Sequence, residues 1–428
     1  MNENYSKSEW KYKKRWLGGP IRDAVAAFPV VVLTGARQVG KSTLLRHEFG
    51  EFAYRSLDDP AIRVQAREDP ASIWKGLDRV VIDEAQLEPA VFSAVKLAVD
   101  TSERARRFIL SGSSNILLME KVSESLAGRA AYFELGPMTW SEEAEAGPPE
   151  RWEGLWDPDL ELREQDAGTL DSTPFLLRGL MPPVMAFERT DQAVRWWDGY
   201  VRTYLERDLR ALSQIESLVD FRRMMEALAL RSANVLNQTE LARACGMSQP
   251  TVHRYVKLLE VTHVVTRVRP FLSSRLKRVT KSPKVFFLDP ALSAFLAGYH
   301  DASSILAARE RGAFLEGLVY LHLKAAAGLS VPPARVLFWR TSTGAEVDFV
   351  VERGRRALAV EVKATTNPTL RDAKGLLRLQ EAEPSVFRGV LLHGGSQVRW
   401  LHSKVVAVPW WWPWVGSSWQ PRGTSPFL

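Results

Sequence analysis

The stretch GARQVGKST, Gly35 to Thr43, follows the apolar run Val30 to Leu33 and leads into TLLRHEF, which has a helical pattern. It fits G-x-x-x-x-G-K-[ST] in the strand, loop and helix setting that this spacing requires. Glycines let backbone N–H groups close around a β-phosphate at a helix N-terminus, Lys41 reaches the β- and γ-phosphates, and Ser42 ligates Mg2+. Gly35, Ala36, Arg37, Gln38, Val39, Gly40, Lys41, Ser42 and Thr43 are therefore the expected nucleotide-binding residues, with ATP and Mg2+ as cofactors.

Outward from this loop, between about residues 18 and 136, short apolar runs alternate with helical patterns: FPVVVLTG, FAYRSL, DRVVIDE, RRFILSG and AAYFEL. Such alternation predicts an α/β unit with a parallel sheet wrapped by helices. In VVIDEAQ, Asp83 and Glu84 end a buried strand; Asp83 can hold Mg2+ through water and Glu84 can polarise the water that attacks the γ-phosphate. A DE pair after a strand is otherwise an ordinary polar strand end. In FILSGSSN, Ser113 and Asn115 are candidates to sense the γ-phosphate, against the plain reading of a turn. Arg129 in ESLAGRAAYFEL precedes the fifth run, where a guanidinium acts as an arginine finger on a neighbouring subunit's nucleotide or binds an acidic surface. The first role implies a homo-oligomer with Arg129 acting in trans.

The 428 residues are 46% hydrophobic and 25% charged, enough for roughly two to four packed domains. A net charge of +7 favours a polyanionic partner without naming it. A single cysteine, Cys245, excludes an internal disulfide framework and a cysteine-rich zinc site, and suits a reducing cytoplasm. The basic start followed by AVAAFPVVVLTGA is interrupted by Arg22 and Asp23 and runs into the glycine loop, so it reads as a core strand and not a signal peptide. VVAVPWWWPWVGSSW is too short to span a bilayer and carries two prolines, so no membrane segment is expected. Its tryptophans are read as capping a hydrophobic edge, in preference to stacking unpaired bases. Residues 141–171, acidic and broken by prolines, read as a surface insertion.

NQTELARACGMSQPTVHRYVKLLEVTHVV has the spacing of helix, tight turn and second helix. Leu241, Ala242 and Ala244 line the first helix, Gly246 makes the turn, and Ser248 caps the second, whose Val252, Tyr255, Val256 and Leu259 face inward. Gln249, Thr251, Arg254 and Lys257 are left outside, on a helix suited to a DNA major groove. Between Val261 and Leu288 there are seven Lys or Arg and no acid. Arg275, Lys277 and Arg278, with Lys281 and Lys284, would supply phosphate contacts to DNA. The plainer reading is a solvated wing or a docking lid, since such modules also bind proteins.

GAEVDFVVERGRRALAVEVKATT predicts an antiparallel hairpin if Gly354 and Arg355 form a type II′ turn. Counting from that turn pairs Asp348 with Glu361 and Glu346 with Lys363. Carboxylates directly opposite have Cβ atoms about 4.5 to 5.5 Å apart and repel, which a bound Mg2+ or Mn2+ on Asp348 and Glu361 offsets. Lys363 would orient a metal-bound water and stabilise charge on a scissile phosphate. Glu316, a polar interruption in the apolar helix RERGAFLEGLVYLHLKAA, can reach the same site. The alternative is a structural ion-pair cluster.

GARQVGKST, VVIDEAQ, LSGSSN, SLAGR, YLERDL and PKVFFLD, followed by these carboxylates, resemble prokaryotic AAA-type ATPases, largely uncharacterised, that carry a C-terminal domain of unknown function related to PD-(D/E)XK nucleases. The resemblance runs from about residue 18 to 410. It implies an AAA-type P-loop domain over residues 1–140 with the insertion 141–171, a helical lid and winged-helix domain over 172–300, and a nuclease-like α/β domain over 301–428. Glu316, Asp348 and Glu361-x-Lys363 match the nuclease motif, and Arg207 in YLERDL is a candidate lid sensor. Two functions are compatible with this: an ATP-hydrolysing, DNA-acting enzyme with a metal-dependent nuclease module, or a non-cleaving ATP-dependent switch that binds DNA or protein.

Overall fold

The computed structural model of the chain describes residues 11–112, 126–208, 215, 217–272, 278 and 281–419. The chain divides into two compact units, Met1–Met138 with Met181–Glu188, and Thr139–Leu180 with Arg189–Leu428. The helix-turn-helix region and the carboxylate hairpin fold together.

All five apolar runs of the first unit become strands: β1 (Val30–Thr34), β2 (Ala53–Ser56), β3 (Arg79–Asp83), β4 (Arg107–Ser111) and β5 (Ala130–Glu134). They form a parallel sheet in the order β2-β3-β4-β1-β5. Every residue of β1 is buried, as a strand covered on both faces requires. Val30, Val32, Val80, Ile82, Phe108 and Leu110 share a core with Trp74, Phe92 and Val95. The loop after β1 opens where the strand order switches, the place at which open parallel sheets bind ligands. The helix after it is α1 (Lys41–Glu48); α2 (Ala90–Thr101) packs Val91, Phe92, Val95 and Val99 into the core.

The second unit is built on a seven-stranded mixed sheet. Its strands are β6 (Gln165–Asp166), β9 (Arg335–Arg340), β10 (Glu346–Arg353), β11 (Arg356–Lys363), β12 (Val386–His393), β13 (Gln397–His402) and β14 (Val405–Pro409), in the order β6-β13-β14-β12-β11-β10-β9. A separate antiparallel ribbon, β7 (Val265–Val268) and β8 (Lys284–Phe287), follows the helix-turn-helix. The hairpin register is the one counted from the turn, from Arg353↔Arg356 to Phe349↔Val360, with Gly354 at φ 64°. Against β9, however, β10 bulges between Val347 and Val350. A bulge re-aims side chains. Phe349 stacks at 6.0 Å on Tyr320 and lies 5.4 Å from Phe286, and the β10–β11 ladder ends before Glu346 meets Lys363.

The acidic stretch 141–171 is not a surface insertion of the first unit. It belongs to the second, because its charges flank an apolar set, Trp140, Trp152, Leu155 and Trp156, that is buried. Trp152 lies 5.4 Å from Trp414, and Arg388 donates to the carbonyls of Leu155 and Asp157 at 2.6 and 2.7 Å. β6 pairs with β13 and covers that sheet edge. Trp410, Trp411, Trp412 and Trp414 are buried, as an edge-capping role expects. Among the described residues no helix is long and apolar enough to cross a membrane.

His322, on the helix Arg311–Gly328, is fully buried. Its Nδ1 lies 2.8 Å from the Leu318 carbonyl and its Nε2 accepts the Trp140 N–H at 2.9 Å, so the neutral ring is satisfied on both sides. Burial pushes its pKa down to about 4. Below about pH 6.5 the unfolded chain takes up a proton that the folded unit refuses, so stability falls from there to about pH 4, by about 3 kcal/mol for this group. Urea denaturation followed by tryptophan fluorescence at pH 7 and pH 4.5 should show that loss shrinking by about 2–3 kcal/mol in His322→Gln; an equal loss of stability between the two pH values in both proteins would refute it.

Candidate functional site

The loop after β1 is shaped by three left-handed or glycine-only positions. Gly35 has φ 147°, and a Cβ there would lie 2.2 Å from the Leu135 carbonyl oxygen. Gln38 takes φ 68° and Gly40, the residue that opens α1, φ 91°. Glycine adopts such values without steric cost, whereas at Gln38 the value costs free energy and persists where the surrounding fold fixes it. Ala36, Val39 and Lys41 are buried, Arg37 and Gln38 exposed. The Lys41 ammonium, 6% exposed, donates to the carbonyls of Gly35 and Ala36, both at 2.9 Å. Burial lowers its pKa, and Glu84 and Asp83 oppose that shift.

Ser42 donates from Oγ to Asp83 Oδ2 at 2.7 Å. Tyr54 on β2 donates to the same oxygen, and burial together with Asp83 pushes its phenol up to about 12. Asp83 Oδ1 is buried with no hydrogen-bond partner among the described residues. A hydroxyl and a carboxylate at this spacing, with one orphaned oxygen, fit the donor set of a nucleotide-bound Mg2+. Glu84 sits next to it in the left-handed region at φ 54° and accepts a hydrogen bond from the Gln86 amide.

Arg129 leaves the opposite end of the sheet. Val30 pairs with Ala130 in parallel, so Arg129 lies at the N-terminal end of β5, about 17 Å of strand from the phosphate loop. Within this chain it forms two hydrogen bonds to Asp100 on α2, at 2.7 and 2.9 Å. Ser113 and Asn115 lie outside the described residues, as does the side chain of Arg207.

Three features escape the motif. Tyr54 is one. Ser111, at the C-terminal end of β4, is a second: it is 1% exposed and its hydroxyl has no partner among the described residues. The third is a cavity of about 320 Å3 beside Gly40 and Thr43, lined by Tyr12, His47, Met138 and Pro182. Tyr12 and His47 stack at 4.5 Å with an interplanar angle of 12°. Alternating apolar patterns carry no mark of a polar atom left unpaired at a strand end, and Tyr12 lies outside every motif.

In the second unit the helices Gln238–Cys245 and Gln249–Val261 flank Gly246 at φ 66°, and Ser248 accepts the Thr251 N–H. Val252, Tyr255, Val256 and Leu259 are buried as expected. Gln249 and Lys257 are exposed, Thr251 and Arg254 half-buried. Ala244 is exposed and Cys245 takes its place in the core. Arg275 and Lys277 lie outside the described residues. Arg278 is not available to DNA: it is 8% exposed, donates to both Glu352 oxygens at 3.1 and 2.9 Å, and lies 4.7 Å from the Phe271 ring.

Lys284 departs furthest from expectation. It is 2% exposed, and its Nζ lies 2.6 Å from Glu346, 3.4 Å from Glu316 and 3.9 Å from Asp348. Asp348 Oδ2 accepts the Val362 N–H at 2.8 Å, and Lys363 pairs with Glu361 at 2.6 Å. Glu316, Asp348, Glu361 and Lys363 thus lie in one cluster, with an unforeseen cation among them. Burial, then Asp348, raises Glu361 to about 8; the same two causes raise Glu316 well above the usual carboxylate range, and burial raises Asp348. Burial opposes the Lys284 charge, but Glu316, Asp348 and Glu346 outweigh it and raise its pKa. Among the described residues no three His, Cys, Asp or Glu converge to hold a metal ion. Carboxylates are the ligand type a hard divalent ion takes, but here Glu346, Glu316 and Asp348 are gathered around an ammonium.

Over 400 residues the chain is 31% identical to the uncharacterized proteins Rv2008c of Mycobacterium tuberculosis and Mb2031c of Mycobacterium bovis, covering 93% of this chain and 83% of each relative. It belongs to their family. Residues 27–143 of this chain match the AAA domain, 171–303 the domain of unknown function DUF8612, and 311–412 the domain of unknown function DUF4143. The first unit is therefore an AAA-type ATPase domain by family and by fold. The Walker-type ATPase PABY2304 of Pyrococcus abyssi is similar at 17% identity and a TM-score of 0.44, over 67% of this chain and 98% of that one. Lys284 lies in the DUF8612 match and its partners Glu316, Glu346 and Asp348 in the DUF4143 match.

Tyr54→Phe removes one donor to Asp83 without changing volume. It should raise the Mg2+ concentration needed for half-maximal ATP turnover roughly 10- to 100-fold; an unchanged Mg2+ dependence would reduce Tyr54 to packing.

Proposed function

We propose that this chain binds and hydrolyses ATP with Mg2+ and uses the cycle to switch its grip on DNA. The observation that carries the reading is the Ser42–Asp83 contact, with its orphaned Asp83 oxygen, beside a buried Lys41. In this scheme Gly35 to Thr43 hold the phosphates, Lys41 neutralises the β- and γ-phosphates, Ser42 and Asp83 hold Mg2+, and Glu84 orients the attacking water. When bound, Mg2+ supplies charge stabilisation at the γ-phosphate. Arg129 reaches a nucleotide only from a neighbouring copy of the chain, after leaving Asp100.

The DNA part of the reading rests on the capped helix Gln249–Val261, which leaves Gln249, Thr251, Arg254 and Lys257 off the core, and on the net charge of +7. A helix presented in this way after a tight turn, followed by a two-stranded ribbon, is what a winged-helix module offers a major groove. Arg275 and Lys277 would add phosphate contacts.

For the carboxylate module the non-cleaving reading is favoured, because Lys284 stands among the acids that a catalytic metal would need. The nuclease-like fold then serves binding.

Lys41→Ala should abolish saturable ATP binding, while Glu84→Gln should bind ATP and lose roughly 100- to 10,000-fold in turnover. Unaltered turnover in Lys41→Ala would overturn the assignment of the loop. Lys257→Ala should lower the slope of log affinity against log salt for duplex DNA by about 1, and an unchanged slope would remove that helix from the interface. Supercoiled plasmid with Mg2+ or Mn2+, with and without ATP, should stay intact; nicking lost in Asp348→Ala and Lys363→Ala would restore the nuclease reading.

A further inference from the structure

The carboxylates of the hairpin repel one another unless a positive charge lies among them. Lys284 Nζ lies within 4 Å of one oxygen each of Glu346, Glu316 and Asp348, and 5.6 Å from the Phe338 ring. It reaches them from β8, where Lys284 pairs with Val268 on β7 and bridges to Val235. Neither an ammonium nor a group of carboxylates can be buried here without the other.

One oxygen of the cluster is left over. Glu361 is 7% exposed, Lys363 occupies its Oε1, and its Oε2 has no hydrogen-bond partner among the described residues. A hard divalent ion collects several carboxylate oxygens at about 2.0–2.6 Å. It cannot collect those of Glu316, Glu346 and Asp348 while a positive group stands 2.6 to 3.9 Å from them.

We propose that the Lys284 ammonium occupies the seat of a divalent cation, and that the two exclude each other: the DUF4143 module is closed to Mg2+ and Mn2+ while β8 is docked, and takes one ion when Lys284 is gone. The oxygens of Glu346, Glu316 and Asp348 are the ligands that removal of Lys284 frees, and Glu361 Oε2 already has no hydrogen-bond partner among the described residues. Charge fits the exchange, since removing the ammonium leaves an excess of negative charge that a dication neutralises. The inference rests on the non-cleaving reading of the carboxylate module and is independent of whether the chain hydrolyses ATP or binds DNA.

The test is Mn2+ titration by electron paramagnetic resonance on the nucleotide-free full chain, with melting temperature followed alongside. Wild type, Asp348→Asn and Lys284→Arg should show the same Mn2+ uptake. Lys284→Met should bind about one further Mn2+ per chain and melt higher with it, as linkage requires, and Lys284→Met with Asp348→Asn should lose both effects. An Asp348-dependent Mn2+ site in the wild type would overturn the proposal. So would a folded Lys284→Met without the added site, or a Lys284→Met that stays unfolded at every Mn2+ concentration. A Lys284→Met that folds only with Mn2+ would support it.

Discussion

An ammonium taken out of water must be matched where it lies, and both halves of this chain are organised around one. Transfer of an ion to a low-dielectric interior is prohibitive without compensation. In the first unit Lys41 meets it by folding back onto the Gly35 and Ala36 carbonyls, with Asp83 and Glu84 near. These are weak, replaceable partners, so a triphosphate can take the lysine over. In the second unit Lys284 meets it with carboxylates, which give the charge no comparable reason to leave. One side chain type thus serves a transient site and a permanent one, and the partners decide which.

Backbone geometry reinforces the contrast. Gly35, Gln38, Gly40 and Glu84 hold unusual φ values within one short arc at the C-terminal end of the parallel sheet. The strain held at Gln38 and Glu84 marks a site whose donors and acceptors are fixed before the ligand arrives. The second cluster uses a different device: an extra residue in β10 takes Asp348 and Phe349 out of the ladder with β9, where the acid meets Lys284 while the ring joins Tyr320 and Phe286.

Much of this was readable from the chain in order. The phosphate loop, its five strands, the helix pair around Gly246 and the Gly354 turn all rest on signals within a few residues, such as periodicity, capping and glycine position. What was missed depends on distant partners. The count of cations between Val261 and Leu288 gave Arg278 and Lys284 the same outward role, because sequence shows the sign of a charge and not its burial; Glu352, some seventy residues on, claims the first, and Glu316, Glu346 and Asp348 claim the second. The stretch 141–171 misled for the converse reason. Its acids and prolines dominate the composition, whereas Trp140, Trp152 and Trp156 decide where it packs.

That last segment has a practical corollary for anyone who wishes to produce the halves separately. The chain crosses into the second unit at Thr139, comes back for Met181–Glu188 and leaves again. A fragment cut at a single point after the AAA match would either forfeit the returning octapeptide or drag along tryptophans that have lost their sheet, a recipe for inclusion bodies. Excision of 139–180 with a short glycine-serine splice is the dissection that respects how the polypeptide is threaded.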